Sequence, residues 1–109
     1  MNQAKASPDE KSDFQFSIEN DSLKLEGQLV IDHVEHFYES AMQDLARQKP
    51  SFIDLSGMTY IDSAGVTVLE LIKSRMAEKD IPLEYRNIPT AVDEKMRIFS
   101  ASADEVPEM

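Results

Sequence analysis

Two early stretches of the chain alternate apolar and polar residues, a period of two that predicts half-buried β-strands. The apolar positions are Phe14, Phe16 and Ile18 in the first stretch, and Leu23, Leu25, Gly27 and Leu29 in the second. The turn-forming residues 19–22, Glu-Asn-Asp-Ser, separate the two stretches. We therefore predict a β-hairpin whose loop is longer than the two-residue minimum.

Three later stretches carry apolar residues at steps of three and four, which predicts amphipathic helices. The first helix is expected to begin with Asp32 as its N-cap and to end before Pro50. The second is expected to run from Ala64 to about Lys79, and the third to open with Thr90 as its cap. Each apolar stripe needs a surface to pack on, so we expect the helices to cover a sheet.

The remaining apolar runs predict further strands. Phe52–Leu55 is apolar at nearly every position, which is typical of a strand covered on both faces. A loop through Gly57 is expected after it, followed by Tyr60 and Ile61, and a last strand is expected over Ile81–Tyr85. The order β-β-α-β-α-β-α indicates an α/β fold, a small mixed β-sheet with helices packed mainly on one face.

Length and charge limit the classes of function open to the chain. Its 109 residues have room for one domain, expected over residues 13–101, with a disordered leader at 1–12 and a flexible acidic tail at 102–109. The net charge of −10 argues against binding nucleic acid or an anionic membrane through a basic face. With no cysteine, no signal peptide and no long apolar run, we expect a cytoplasmic protein without disulfides, thiolate metal sites or membrane insertion.

Ser63 stands at the predicted start of the second helix, where two roles are open to it. As an N-cap it would satisfy free backbone N–H groups and stabilise the helix by about 1 kcal/mol. As a phosphoacceptor it would hold a phosphate on the exposed N–H groups of a helix N-terminus, beside Asp62. The small residues Ala64 and Gly65 would let another protein approach closely. Such a phosphate adds about −1.5 to −2 charges, which would reverse the binding of a partner with little change in the fold.

Three short motifs lie on consecutive predicted elements. They are Leu25-Glu26-Gly27-Gln28-Leu29 on the second strand, Asp54-Leu55-Ser56 after a buried strand, and Tyr60-Ile61-Asp62-Ser63-Ala64-Gly65-Val66 opening the second helix. The last two together resemble the signature of STAS domains, found in bacterial anti-sigma-factor antagonists. The first is similar to that family's second-strand pattern, leucine–x–glycine–glutamate–leucine. The likeness extends over about residues 14–100 and implies the STAS fold.

In antagonists of that family, the serine or threonine after the aspartate is phosphorylated by a kinase that is itself an anti-sigma factor. The resemblance therefore implies that Ser63 is the phosphoacceptor and that only the unphosphorylated form binds the kinase. We expect the partner surface to include Asp32, Asp62, Ser63, Ala64 and Gly65. On this hypothesis the chain is a regulatory protein-binding module with no cofactor.

One position departs from the family pattern and motivates a second hypothesis. Many members carry an aspartate after the second-strand motif, where this chain has Val30, with Asp32 two residues further on. The alternative is a constitutive accessory subunit that docks through the same face, with Ser63 as a contact only. Its partner would be the ATPase of a lipid-transporting ABC system or a chemotaxis-associated complex.

Catalytic and metal-binding interpretations depend on few residues. His33 and His36 have the i, i+3 spacing of two ligands on a helix, but no third ligand has suitable spacing elsewhere. Asp54 and Asp62 are candidates for an acid–base pair, although we expect them to end strands and to bind loop N–H groups. A hydrolase using Ser63 would need one of the two histidines as its base. We therefore expect neither an enzyme nor a metal site.

Overall fold

The computed structural model describes residues 13–105, which form four strands and three helices. The strands are β1 (Phe14–Glu19), β2 (Ser22–Leu29), β3 (Phe52–Ile61) and β4 (Glu84–Arg86). The helices are α1 (Ile31–Gln48), α2 (Ser63–Glu78) and α3 (Thr90–Glu105). Helix α3 continues past the expected domain end at residue 101, and the expected leader, 1–12, and end of the tail, 106–109, lie outside the described residues. No helix within the described range has the length and apolar character needed to cross a bilayer.

The strands form one mixed sheet in the order β1-β2-β3-β4. β1 pairs antiparallel with β2, whereas β2 with β3 and β3 with β4 pair in parallel. The parallel pairs are possible because α1 and α2 make the crossover connections between their strands. α1 packs against α2, and α3 packs against both α2 and β3. The predicted α/β class with a small mixed sheet is confirmed.

The core lies on one face of the sheet. Along β2 and β3 the fully buried apolar side chains alternate mainly with polar ones, so the apolar set shares one face, against which the helices pack. The largest buried side chains of these strands and of α1 and α2 include Leu23, Leu25, Ile53, Leu55, Phe37, Leu45, Leu69 and Ile72. This one-sided burial fixes the register of the strands, because a slip by one residue would expose the apolar set.

The hairpin loop is shorter than the sequence suggested. Glu19 and Ser22 pair directly across the two strands, so the loop holds only Asn20 and Asp21. Asn20 has a positive φ of 56°, which two-residue hairpin loops require and which asparagine tolerates better than most residues. The prediction of a longer loop was wrong because the strand pairing extends into polar residues that are typical of turns.

β3 is one strand of 10 residues, so the predicted loop through Gly57 was wrong. Its register against β2 shifts twice, between Lys24 and Glu26 and again between Gly27 and Gln28. At each shift β3 carries one residue more than β2, and these bulges interrupt the alternation that marks a strand in a sequence. Gly57 lies close to β2, since an added Cβ would be 3.0 Å from a carbonyl oxygen of that strand.

β4 begins later than predicted. The residues expected to start it instead close α2, where the N–H of Ile81 donates to the carbonyl oxygen of Met76 at 2.9 Å. Pro82 follows, and it has no N–H to donate to a strand ladder. Pairing therefore starts only at Glu84, whose N–H donates to the carbonyl oxygen of Ser51 at 3.1 Å.

Gly27 is the position where the hairpin tolerates no side chain. It has φ 97°, and an added Cβ would collide with the carbonyl oxygen of Asp13. Gly27→Ala should therefore lower the free energy of unfolding by at least about 2 kcal/mol, through left-handed strain and overpacking. Urea unfolding followed by circular dichroism measures the change. The matched control Gln28→Ala, at an exposed neighbour, should stay within about 0.5 kcal/mol of the wild type; equal losses in the two variants would contradict this account.

Candidate functional site

Asp62 lies between the end of β3 and the start of α2 and binds the first turns of two helices. Its Oδ1 accepts a hydrogen bond from the N–H of Gly65 at 2.8 Å, which makes it the N-cap of α2. Its Oδ2 accepts from the N–H of Ile31, the first residue of α1, at 3.0 Å. One carboxylate thus satisfies an N–H without an intrahelical partner at the start of each helix. Its negative charge also lies at the positive end of both helix dipoles.

The N-cap predicted for the first helix is therefore wrong, and of the two roles open to Ser63 the structure gives the capping role to Asp62. α1 begins after Val30, which makes no side-chain cap hydrogen bond, and Asp32 lies inside the first turn. Ser63 is the first residue of α2, one position after the cap. Aspartate and serine are about equally good N-caps, so the sequence does not choose between two adjacent candidates. The structure decides between them, because the N–H of Gly65, three residues on, donates to Asp62, which is the usual geometry of an N-cap.

The side chain of Ser63 is exposed and makes no structural hydrogen bond. Its hydroxyl has no hydrogen-bond partner in the part of the chain that the structure describes. It stands at the N-terminus of α2, where the helix dipole and the N–H groups that Asp62 leaves unused favour a negative charge. Because Asp62 caps the helix, capping does not explain the presence of a serine at this position.

A groove with a volume of about 460 Å³ lies between α1 and α2, and Ser63 lines it at the helix starts. Its apolar walls are formed by Ile31, Val34, Tyr38, Ala64, Val68 and Leu71. Ile31 and Leu71 are 64% and 37% exposed, which are high values for large apolar side chains. The carboxylates of Glu35 and Glu39 also line the groove, from the α1 side. Contiguous exposed apolar surface with a polar rim is typical of an interaction site.

The structure distributes the five predicted contact residues over three environments. Ser63 and the half-buried Ala64 line the groove, with Asp62 between the two helix starts beside it. Gly65 is buried, and an added Cβ would collide with the carbonyl oxygen of Leu29. The space beside Gly65 is thus filled by this chain itself. The sequence had suggested that a partner would approach there. Asp32 is exposed but lines a second cavity, outside the groove.

The two histidines line a different cavity from the one that Ser63 lines. His33 and His36 line the second cavity together with Phe14, and the ring of His33 stacks on that phenylalanine with centroids 5.7 Å apart. Neither histidine lines the groove, so the structure does not assemble the serine–histidine pair that a hydrolase would need. Among the described residues, no group of three or more histidine, aspartate or glutamate side chains is placed to hold a metal ion.

Asp54 and Asp62 do not form a carboxylate pair. Seven residues of β3 lie between them, and eight steps at the rise of a strand span up to roughly 26 Å. Asp54 is 9% exposed and accepts hydrogen bonds from the N–H of Ser56 at 2.9 Å and from Nδ2 of Asn87 at 3.4 Å. Burial raises the pKa of Asp54, but these hydrogen bonds and the charge of Lys24 outweigh it and hold the pKa below its ordinary value. Asp54 therefore supports β3 as an ionised acceptor, and it lies within the strand where we expected it to end one.

A small mixed sheet with an exposed apolar groove between two helices is typical of a protein-interaction module. The chain matches the family model described as "Mlab, STAS domain" over residues 12–103. It belongs to the STAS domain family, as the sequence motifs indicated. No curated protein matches it significantly.

The capping geometry predicts a large loss of stability at one position and almost none at its neighbour. Asp62→Ala removes two cap hydrogen bonds and should lower the free energy of unfolding by about 2 kcal/mol. Ser63→Ala removes no hydrogen bond and should stay within about 0.5 kcal/mol of the wild type. Urea titration of both variants measures the difference. A Ser63→Ala loss as large as that of Asp62→Ala would show that the serine does the capping.

Proposed function

We propose that this chain is a non-enzymatic regulatory module, similar to an anti-sigma-factor antagonist, whose protein partner docks on the surface around Ser63. The partner is a serine kinase of the cytoplasm that phosphorylates Ser63, and the phosphorylated form no longer binds. The observation that carries this proposal is the exposed hydroxyl of Ser63, which has no hydrogen-bond partner within residues 13–105 and stands at the start of a helix that Asp62 already caps. A kinase can modify such a hydroxyl without disturbing the fold.

The same geometry explains how a phosphate would act on binding and not on stability. In the free protein, the phosphate would remain hydrated and near the N–H groups at the start of α2, so the domain would stay folded. Ser63 also lines the apolar groove. A partner that covers the groove would have to remove water from about −1.5 to −2 added charges, and burying an unpaired charge costs several kcal/mol. Phosphorylation would therefore weaken docking.

A second candidate function is a constitutive accessory subunit of the ATPase of a lipid-transporting ABC system or of a chemotaxis-associated complex. The apolar start of α1 favours it. Val30 replaces the aspartate of many antagonists, and the adjacent Ile31 is 64% exposed and lines the groove. Apolar surface at this position suits a permanent contact better than it suits repeated release. In this candidate Ser63 is a contact residue and is not modified.

Substitutions at Ser63 separate the two functions. The partners to test are the serine kinase or the ATPase encoded beside this chain, and binding is measured by calorimetry. For the switch, Ser63→Ala should bind within about threefold of the wild type, while Ser63→Glu should weaken binding at least about 100-fold, the equivalent of about 3 kcal/mol. Ser17→Glu, at an exposed serine of β1 far from the groove, is the matched control and should have no effect.

Phosphate mapping completes the test. Incubation of the chain with the kinase and ATP, followed by mass spectrometry, should locate the phosphate on Ser63. Modification only at other residues, or none, would contradict the switch. A constitutive subunit would bind its ATPase without phosphorylation, and alanine and glutamate at position 63 would then change affinity only through fit. If neither substitution alters the binding of any of these partners, Ser63 does not lie at the contact.

A further inference from the structure

The groove between α1 and α2 carries enough detail to define the chemistry of its occupant. Building on the proposed function, we infer that the partner inserts an amphipathic helix into this groove, with an apolar stripe against its walls and Lys or Arg side chains paired with Glu35 and Glu39. The inference specifies the docking element of the partner, whichever of the two proposed partner classes is correct.

The exposed apolar walls of the groove favour a partner segment that carries apolar side chains. Ile31 on α1 and Leu71 on α2 both line a groove of about 460 Å³, and both are substantially exposed. This volume holds several side chains. Val34 and Tyr38 complete the apolar lining of the groove. A partner that buries this surface must present apolar side chains of its own.

Two acidic side chains at the edge of the groove favour a partner segment that carries lysine or arginine. Glu35 and Glu39 are exposed, lie at i and i+4 on α1 and line the groove together. Within the described residues, neither carboxylate forms an ion pair with a lysine or arginine. Like charges at this spacing repel each other on a helix. Lysine or arginine side chains of a partner would remove that repulsion and fix the orientation of the docked segment.

A helix fits this site better than an extended peptide. Both walls are helices, so the groove offers no strand edge to which a β-strand could add. The lining residues of α1 extend from Ile31 to Glu39, which is about 12 Å along the helix axis. An apolar stripe at positions i, i+4 and i+7 of a partner helix spans about 10.5 Å and matches this length.

Charge also argues against other occupants of the groove. A second copy of this chain would bring its own Glu35 and Glu39 to the same groove, and the net charge of −10 would add repulsion between the copies. Nucleic acids and anionic membranes are repelled for the same reason. A basic helical segment of a different protein is the occupant that both the apolar walls and the acidic rim accept.

The test is a selection of helical peptides on the full chain. A displayed library of 18-residue helix-forming peptides is selected on the immobilised protein, and recovered peptides are synthesised for calorimetry. We expect apolar residues at i, i+3 or i+4, and i+7, flanked by lysine or arginine, and amide shift changes at Thr67 and Leu71 on peptide binding. Leu71→Asp should weaken binding at least 10-fold, and Leu71→Ala, which keeps the helix intact, should weaken it in the same direction.

A double charge reversal tests the acidic rim separately. Glu35→Lys with Glu39→Lys should weaken binding of the selected peptides at least 10-fold and reduce its salt dependence. The matched control, Glu84→Lys with Glu94→Lys, makes the same charge change at exposed positions outside the groove and should have little effect. Circular dichroism confirms that each variant remains folded.

Three results of the selection and binding experiments would overturn the inference. They are recovered peptides that are acidic or uncharged, binding that survives both the Leu71 substitutions and the charge reversal, and a selection that yields no peptide dependent on the groove. A dimer in analytical ultracentrifugation that Leu71→Asp dissociates would assign the groove to a second copy and would also overturn it. If the native partner depends on Ser63 but not on Glu35, Glu39 or Leu71, the inference fails while the proposed function stands.

Discussion

The two hydrogen bonds accepted by Asp62 hold the starts of α1 and α2 together, and the functional surface depends on them. The two helices follow neighbouring parallel strands, and their stripes pack on the same face of the sheet. Buried residues such as Phe37 and Leu69 hold the inner faces of the two helices in the core. At the outer end, the carboxylate of Asp62 links the N–H groups of Ile31 and Gly65. Both walls of the groove are therefore held in place, by the core beneath them and by Asp62 at the helix starts. A preorganised binding site requires such fixed walls.

This arrangement separates the structural role of Asp62 from the role proposed for Ser63. Asp62 uses both carboxylate oxygens inside the domain, whereas the Ser63 hydroxyl has no hydrogen-bond partner among residues 13–105. In the proposed function, a modification of the serine would therefore act on the docked partner and leave the helix starts intact. For the proposed partner helix, the apolar walls would supply affinity through burial, and the exposed carboxylates would supply orientation and exclusion of acidic partners.

The sequence predicts the architecture well because periodicity records which side chains are buried. The alternation in β1 and β2 and the apolar stripes of α1 and α2 appear in the structure with small shifts at their ends. Local irregularities escaped prediction for physical reasons. The bulges in β3 break the two-residue period, so a continuous strand resembled a strand and a loop. The cap of α1 comes from Asp62, 31 residues away in sequence, and no local pattern reveals it. The groove is likewise a product of packing between two helices, so its lining set has no signature in either helix alone.

Amide hydrogen exchange of the free protein, followed residue by residue by NMR, tests the capping claim most directly. The account predicts that the N–H groups of Ile31 and Gly65 are protected in the wild type and equally protected in Ser63→Ala. In Asp62→Ala, protection of both should fall by at least about fivefold, the equivalent of about 1 kcal/mol for a lost cap. Loss of protection at Gly65 in Ser63→Ala, or protection at both amides that persists in Asp62→Ala, would contradict the account.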